Sequence, residues 1–428
     1  MKLAVIGAGS FVFAPTVLKD AIERHRIAPC ELVLVDLDLE AAEIMAGIAR
    51  RMAGELETGA NVWATDDRRR ALDECDFVIL CAAPEGARRW KIDHEILERH
   101  GMADQSRECG GLGGLSSSLR SIALAIAVAR DMEKLCPNAA LLDVTNPMPR
   151  VVTAVSKHTS IRTYGFCNIA DGGPAGHEWL PRLLGREPQS MEVVTAGLNH
   201  FAWLVSARDR ATGADLMNAA KTAVRKGTGR ESTLLQRWLA RYGAVAAGHP
   251  DHTAEYMAPD PDVRYCTRPP YHGNPAERKR QREHLRAAAD GLLDWREVLA
   301  GGSWEHPVDL AEALHFQRDR AVGVINLLND NYLPELPGGR IVEVPATVAG
   351  GQVRGVQIDR MPGTTGELCR AVSDVHELVA EGAATGNVDR LEEAIEADPA
   401  IPDKTKARKV LREMIAAHRD IIGSDTFG

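Results

Sequence analysis

The chain opens with Leu3-Ala4-Val5-Ile6 and turns at once through Gly7-Ala8-Gly9-Ser10. An unbroken apolar run of this length reads as a parallel strand buried on both faces. Two glycines directly after it allow a tight turn and a close approach of backbone to a ligand. A helix expected from about Pro15 to Arg24 then points its free amides at a pyrophosphate. Glu31-Leu32-Val33-Leu34-Val35-Asp36 reads as a second strand ending in an acid. An acid at that tip holds the ribose hydroxyls of NAD and repels the 2′-phosphate of NADP. Position 12 is Val12, so the third glycine of the full fingerprint is missing and the Gly-x-Gly turn and Asp36 carry the reading together. The bland account of Asp36 is a cap on the next helix.

The pattern continues as strand and helix in alternation. A helix is expected over 40–54. Asp76-Phe77-Val78-Ile79-Leu80-Cys81 and Ala140-Leu141-Leu142-Asp143-Val144 read as buried strands, with a helix over about 115–135 between them. Arg162-Thr163-Tyr164-Gly165-Phe166 reads as the last strand of this half. Later runs, 190–196, 202–206, 322–328 and 340–345, read as strands of a second lobe, and the end of the chain as amphipathic helix. The expected fold is α/β: a Rossmann-like, doubly wound parallel sheet over 1–188 that binds NAD, then an α+β lobe over 189–428 for substrate, metal and oligomerisation. The whole resembles a lactate or malate dehydrogenase in plan.

Composition removes several classes. With 51 Lys and Arg against 60 Asp and Glu, the net charge is −9, a poor match to nucleic acid or an anionic membrane. No run of about 18 apolar residues stands out as a span. The N-terminus enters a strand without a leader-like cleavage region. Eight scattered cysteines with no C-x-x-C pair fit buried free thiols in a reducing cytoplasm.

Candidate site residues sit at strand ends. Cys167 follows the last strand of the first half, and His200 lies in Gly197-Leu198-Asn199-His200-Phe201. A thiolate and an imidazole together suit a soft-to-borderline divalent metal, although each is more often a satisfied core residue. Arg88, Arg89 and Lys91 form a basic cluster after a strand, where open α/β sheets bind ligands, and Arg107 lies further along. Gln105 to Gly114 holds four glycines in five residues, room for a ligand to meet backbone. Thr145-Asn146-Pro147 presents Asn146 to sugar or cofactor hydroxyls, or merely stabilises its own turn. His252, Glu255 and Tyr256 fall in a segment rich in titratable groups. The basic stretch 278–286 reads as a solvated helix face.

In this order, these fragments resemble the family 4 glycoside hydrolases, which use NAD and usually manganese. The resemblance covers Gly7-Ala8-Gly9-Ser10, Asp36, 110–120, Thr145-Asn146-Pro147, Gly165-Phe166-Cys167, Gly197 to His200, Glu255-Tyr256 and Val342-Glu343-Val344-Pro345. Spacing from Asp93 to Gly114 looks like the α-galactosidase and α-galacturonidase branch, and NAD-dependent sulfoquinovosidases are similar in mechanism. The resemblance implies that Cys167 and His200 bind the metal and that Tyr256 is the base. It implies oxidation at sugar C3, proton loss at C2, elimination of the C1 oxygen, water addition and re-reduction. Glu108, Asp171 and His252 are the candidate acids for the leaving group. Asn168 stands beside the metal cysteine where the family carries Asp or His, and an amide is no general acid. Met257-Ala258-Pro259 replaces aromatic residues that often follow the Glu-Tyr pair.

The expected substrate is an α-glycoside of an unphosphorylated hexose with an anionic C6, a uronate or sulfoquinovose. Arg88, Arg89, Asn146, Asn199 and His252 are its expected contacts. A homodimer or homotetramer is expected. The main alternative is a 2-hydroxy-acid dehydrogenase on the same N-terminal half, with Arg88 or Arg89 as carboxylate clamp; a non-enzymatic NAD sensor is the other.

Overall fold

The computed structural model describes residues 1–11, 13–167, 179–265, 275–300 and 305–423. Val12, Asn168 and Asp171 lie outside the described residues. Six parallel strands form the N-terminal half: β1 (Lys2–Ile6), β2 (Glu31–Val35), β3 (Asn61–Thr65), β4 (Phe77–Leu80), β5 (Ala140–Asp143) and β6 (Arg162–Gly165). Their spatial order is β3-β2-β1-β4-β5-β6, the doubly wound order of a dinucleotide-binding sheet. β3 begins and ends on the polar Asn61 and Thr65 and is only partly buried, and its sequence does not announce a strand.

The second half extends the same sheet. β7 (Met191–Leu198), β8 (Phe201–Asp209), β9 (Arg320–Leu328), β10 (Ile341–Ala349) and β11 (Gln352–Gly355) pair antiparallel. β9 joins β6 through Gly165 and Asn326, so the sheet is continuous with eleven strands.

Alternation along β1 shows how the sheet is covered. Leu3 and Val5 face a core that includes Ile44, Met45, Ile48 and Met52 of the helix Leu39–Glu55. Ala4 and Ile6 face the opposite core, with Leu112, Leu119 and Met132 of the helix Gly111–Leu135. That second core also takes Val379, Leu391, Val410 and Met414, so the C-terminal helices return to cover the first half. At roughly 25 cal/mol per Å² of apolar surface, two covered faces make this sheet the main stabilising unit.

The helix Gly111–Leu135 is long and apolar enough to cross a membrane, yet 72% of its apolar stretch is buried inside the fold. It is a core helix. Its first turn contains the glycines expected to approach a ligand. The segment expected as a basic loop is also helical, Gly86–Arg99. The basic helix Pro275–Ala289 does more than face solvent: Arg282 and Arg286 pair with Asp38 and Glu40.

Candidate active site

The strands end at one edge, and their ends build the site. β1 turns through Gly7 at φ +93, and a Cβ there would lie 2.8 Å from Ala82 backbone. A Cβ on Gly9 would lie 2.8 Å from the Asp36 carboxylate. Gly9 N–H donates to Asp36 Oδ2 at 2.9 Å, and Asp38 N–H donates to Oδ1 at 2.9 Å. Asp36 is thus fixed against the glycine turn at the tip of β2, and both glycines are sterically required. Ser10 Oγ accepts from Phe13 N–H at 3.4 Å, at the start of the short helix Phe13–Leu18. Beside this turn a cleft is lined by Phe13, the 81–84 segment, Trp90, Arg107, Glu108, Arg120 and Asn146. The turn, Asp36 and the cleft fit a dinucleotide, with no clash at the glycines and a fixed acid for the ribose.

Cys167 and His200 come together although they are 33 residues apart, with Sγ and Nε2 separated by 3.4 Å. His200 sits in the tight turn joining β7 to β8 at φ 60, a left-handed conformation that L residues adopt rarely. That turn aims the ring at Cys167. Asn199 lies beneath it, donating its amide to Glu343 Oε2 at 3.0 Å, and Asn326 donates to the same oxygen at 2.9 Å. Burial, with the His252 charge adding to it, pulls the His200 pKa down to about 3, against the opposing pull of Glu255. The ring is therefore neutral and keeps a lone pair. Ligands at about 2.1 and 2.3 Å from one ion stand roughly 3.6 Å apart, so the pair fits a shared divalent metal.

A second group continues from His200. The His252 ring lies 4.7 Å from the His200 ring. His252 Nδ1 is 4.0 Å from Glu255 Oε1, and one ligand-type atom each of Glu108, His252 and Glu255 falls within a 4.8 Å cluster. Glu255 Oε2 accepts the amides of Cys109 at 2.6 Å and Gly110 at 3.2 Å. Asn146 Nδ2 donates to Glu108 Oε1 at 2.9 Å. The two carboxyls are pushed apart. Burial and the Glu255 charge raise Glu108, against His252 and the Asn146 bond. Burial also presses Glu255 upward, but the His252 hydrogen bond, the His252 charge and the Cys109 amide outweigh it and hold the pKa low. Burial lowers His252, and its acidic neighbours, Glu255 first, more than reverse that.

Four expected contacts are not placed as the sequence indicated. Tyr256 is buried, its ring edge-on to Phe201 and His376, and it does not line the cleft. Burial drives its phenol pKa well above the ordinary value, opposite to what a base requires. Arg89 is buried and bound to Glu85 and Asp420, while Arg88 turns outward to Glu85. Neither lines the cleft, because they point to the other side of a helix rather than sitting in a loop. Asn199 is fully buried as a peg under His200.

Arg107 also changes role. Its Nη1 donates to the carbonyls of Glu255 at 2.6 Å and Met257 at 3.1 Å, and its guanidinium lies 3.9 Å over the Tyr265 ring. It clamps the segment that carries His252 and Glu255. The glycines serve that clamp, since a Cβ on Gly110 would meet the Glu255 carbonyl oxygen at 2.0 Å. Glu255 and Glu343 stand in stretches the sequence singles out, but the sequence assigns neither of them a role. Glu343 carried a signal, an acid in the apolar run Val342-Glu343-Val344.

A Rossmann-type sheet bearing a cysteine–histidine pair and two opposed carboxyls beyond its strand ends defines an enzyme rather than a binding module. The chain belongs to family 4 of the glycosyl hydrolases: the family's sequence model matches residues 2–175, and the model of the family's C-terminal domain matches 195–401. An α-galactosidase of Bacillus subtilis is 25% identical over 98% of both chains. An α-galacturonidase of Thermoanaerobacterium saccharolyticum is 25% identical over 97% of this chain and 95% of that one. Among solved structures, a 6-phospho-α-glucosidase from gut microorganisms, in complex with NAD and glucose-6-phosphate, superposes with a TM-score of 0.81 at 20% identity over 98% of both chains.

Proposed function

We propose that this family 4 enzyme is an NAD- and divalent-metal-dependent glycosidase, with manganese the expected metal. Its proposed substrate is an α-glycoside of an unphosphorylated hexose with an anionic C6, a uronate or a sulfonate. The carrying observation is the Cys167–His200 pair at 3.4 Å, linked through His252 to Glu108 on the cleft wall. A hydroxy-acid dehydrogenase has no use for a thiolate–imidazole pair there, and the two arginines that would have clamped its carboxylate are spent elsewhere.

Gly7, Gly9, Ser10 and Asp36 would hold NAD, with Asn146 nearby, and Cys167 and His200 would hold the metal. When bound, the two supply a reversible hydride acceptor and a Lewis acid for sugar oxygens. The remaining work falls to side chains. Glu108 lines the cleft, oriented by Asn146, and its raised pKa keeps a proton available for a departing oxygen. Glu255, pinned by two backbone amides, orients His252 beside His200. His252, a titratable group beside His200, takes in this reading the role of base that the resemblance gave to Tyr256.

The choice of an unphosphorylated, acidic sugar rests on charge. The relatives act on phosphorylated and unphosphorylated sugars alike by name. On the cleft wall Arg120 is paired with Asp93 at 2.9 Å, while Arg107 Nη2 has no hydrogen-bond partner among the described residues. That nitrogen is buried and 4.0 Å from Asp104 Oδ2, so the positive charge left toward the cleft is small and suits a singly charged carboxylate or sulfonate better than a phosphate near −2.

A panel of nitrophenyl α-glycosides decides between sugars: galactose, glucose, galacturonate, glucuronate and sulfoquinovose. At least one acidic member is expected to be turned over ~10-fold or more faster than either neutral hexoside, about 1.4 kcal/mol of preference. A neutral hexoside matching the best acidic one would overturn the anion reading alone. In the same assay, substoichiometric NAD should support many turnovers with no build-up of NADH. NADH accumulating in step with product would make the enzyme a net dehydrogenase.

A further inference from the structure

Outside the cleft lining, a second set of ligand-type side chains converges where the first half meets the second. Asp20 and Arg24 lie on the helical turn Lys19–Arg24 that continues the helix Phe13–Leu18, with His25 next. His306 and Asp309 lie at the start of the helix Pro307–His315. His306 Nδ1 is 3.0 Å from Asp20 Oδ2. One donor atom each of Asp20, His306 and Asp309 falls within 4.8 Å of the others. His25 Nε2 meets Asp309 Oδ1 at 2.6 Å and fixes that carboxylate in place.

We propose that Asp20, His306 and Asp309 form a second divalent-cation site, oriented by His25 and independent of the Cys167–His200 pair. One imidazole and two carboxylates, with no thiolate, suit a borderline ion such as zinc and leave open positions for water. The donors are already drawn from solvent: side-chain exposure is 1% for Asp20, 13% for Asp309, 9% for His25 and 29% for His306. Preformed, partly dehydrated ligands with a histidine behind one carboxylate are what a structural site needs.

The place of a cation is held here by Arg24. Its Nη1 lies 2.8 Å from Asp309 Oδ1, 3.2 Å from His306 Nδ1 and 3.7 Å from Asp20 Oδ1. Its Nη2 also donates to Asp309 Oδ2 at 3.2 Å, but the side chain is 47% exposed and reaches in from solvent, so it can rotate out as another cation takes over the buried carboxylates. Arg320 also faces the cluster, donating to the Asp309 carbonyl at 2.8 Å with its guanidinium 3.9 Å from Oδ1. It supports the backbone of the site. An ion there would tie the end of the helical segment that follows the glycine turn to the second half and raise stability without occupying the cleft.

The test counts zinc in metal-stripped protein by calorimetry and elemental analysis. The background is a Cys167→Ser, His200→Asn double variant with His252→Gln added, which disables the Cys167–His200 pair and the Glu108–His252–Glu255 cluster. This variant should bind one equivalent of Zn2+, and its Tm should rise by ~2 °C or more with saturating zinc. Adding His306→Gln and Asp309→Asn should remove both responses. Arg24→Met in the same background should tighten zinc binding by about fivefold or more, because it removes the competing cation. The Arg24 variant keeps every ligand, so it guards against a simple folding failure. Equal zinc content with and without the His306 and Asp309 changes would overturn the proposal. Arg24→Met leaving affinity unchanged or weaker would do the same and mark the cluster as ion pairing only.

Discussion

Cys167→Ser and His200→Asn are each expected to reduce kcat/KM on the best glycoside by on the order of a thousandfold, about 4 kcal/mol of transition-state stabilisation. Both should leave NAD affinity within about twofold. The nucleotide is held at the tips of β1 and β2, and the pair lies beyond β6 and in the β7–β8 turn. The choice of Asn at 200 follows from the backbone. His200 is at φ 60, where Ala would add strain of about 1 kcal/mol and Asn adds little. Cys167 packs against Met148, Val152 and Ile341, and Ser keeps nearly its volume. Circular dichroism and melting should therefore stay near wild type while manganese content at the pair falls. Wild-type manganese retention in both variants would show that other residues hold the ion, even if activity were lost.

Most of the parallel sheet was legible because its strands are buried on both faces. Leu3 to Ile6, Leu32 to Val35 and Phe77 to Leu80 leave no polar alternation to misread, and Asp36 ends its strand where a ribose acid belongs. Cys167 and His200 stood out in the sequence as a thiol and an imidazole just beyond strand ends. Direction was not legible. Arg88 and Arg89 look like an anion site in one dimension, yet on the helix Gly86–Arg99 they face Glu85 and Asp420. Tyr256 and Glu255 are neighbours in sequence, but a helical turn sends one ring into the core and the other side chain to the amides of Cys109 and Gly110. The pairing of Glu255 with Glu108 across 147 positions is a product of the fold, and composition carries no trace of it. The return of the C-terminal helices over the N-terminal sheet was hidden for the same reason.

Gly110→Ala is expected to be nearly as damaging as loss of a metal ligand, through packing alone. The new methyl would be placed 2.0 Å from the Glu255 carbonyl oxygen and 2.5 Å from its carbonyl carbon. These are backbone atoms, so no rotamer change relieves the overlap. The 255–257 segment cannot retreat freely, because Arg107 Nη1 holds the carbonyls of Glu255 and Met257. Nor can the glycine move the other way at low cost, because its own amide and that of Cys109 grip the Glu255 carboxylate. Relief must stretch one of these bonds. Overpacking of this kind costs about 3 kcal/mol, a large share of the roughly 5–15 kcal/mol that holds a domain folded. Activity should fall further than stability. The strained contact lies two residues from Glu108 and three from His252, so even a 1 Å shift misplaces both, at a cost on the order of a hundredfold in kcat. Gly59→Ala is the control: that glycine is also at positive φ, +67, but its Cβ would meet nothing within 4 Å. It should cost about 1 kcal/mol of stability and leave kcat unchanged. Equal kinetics for Gly110→Ala and Gly59→Ala would show that the clamp between the glycine turn and Glu255 does not set the geometry of the site.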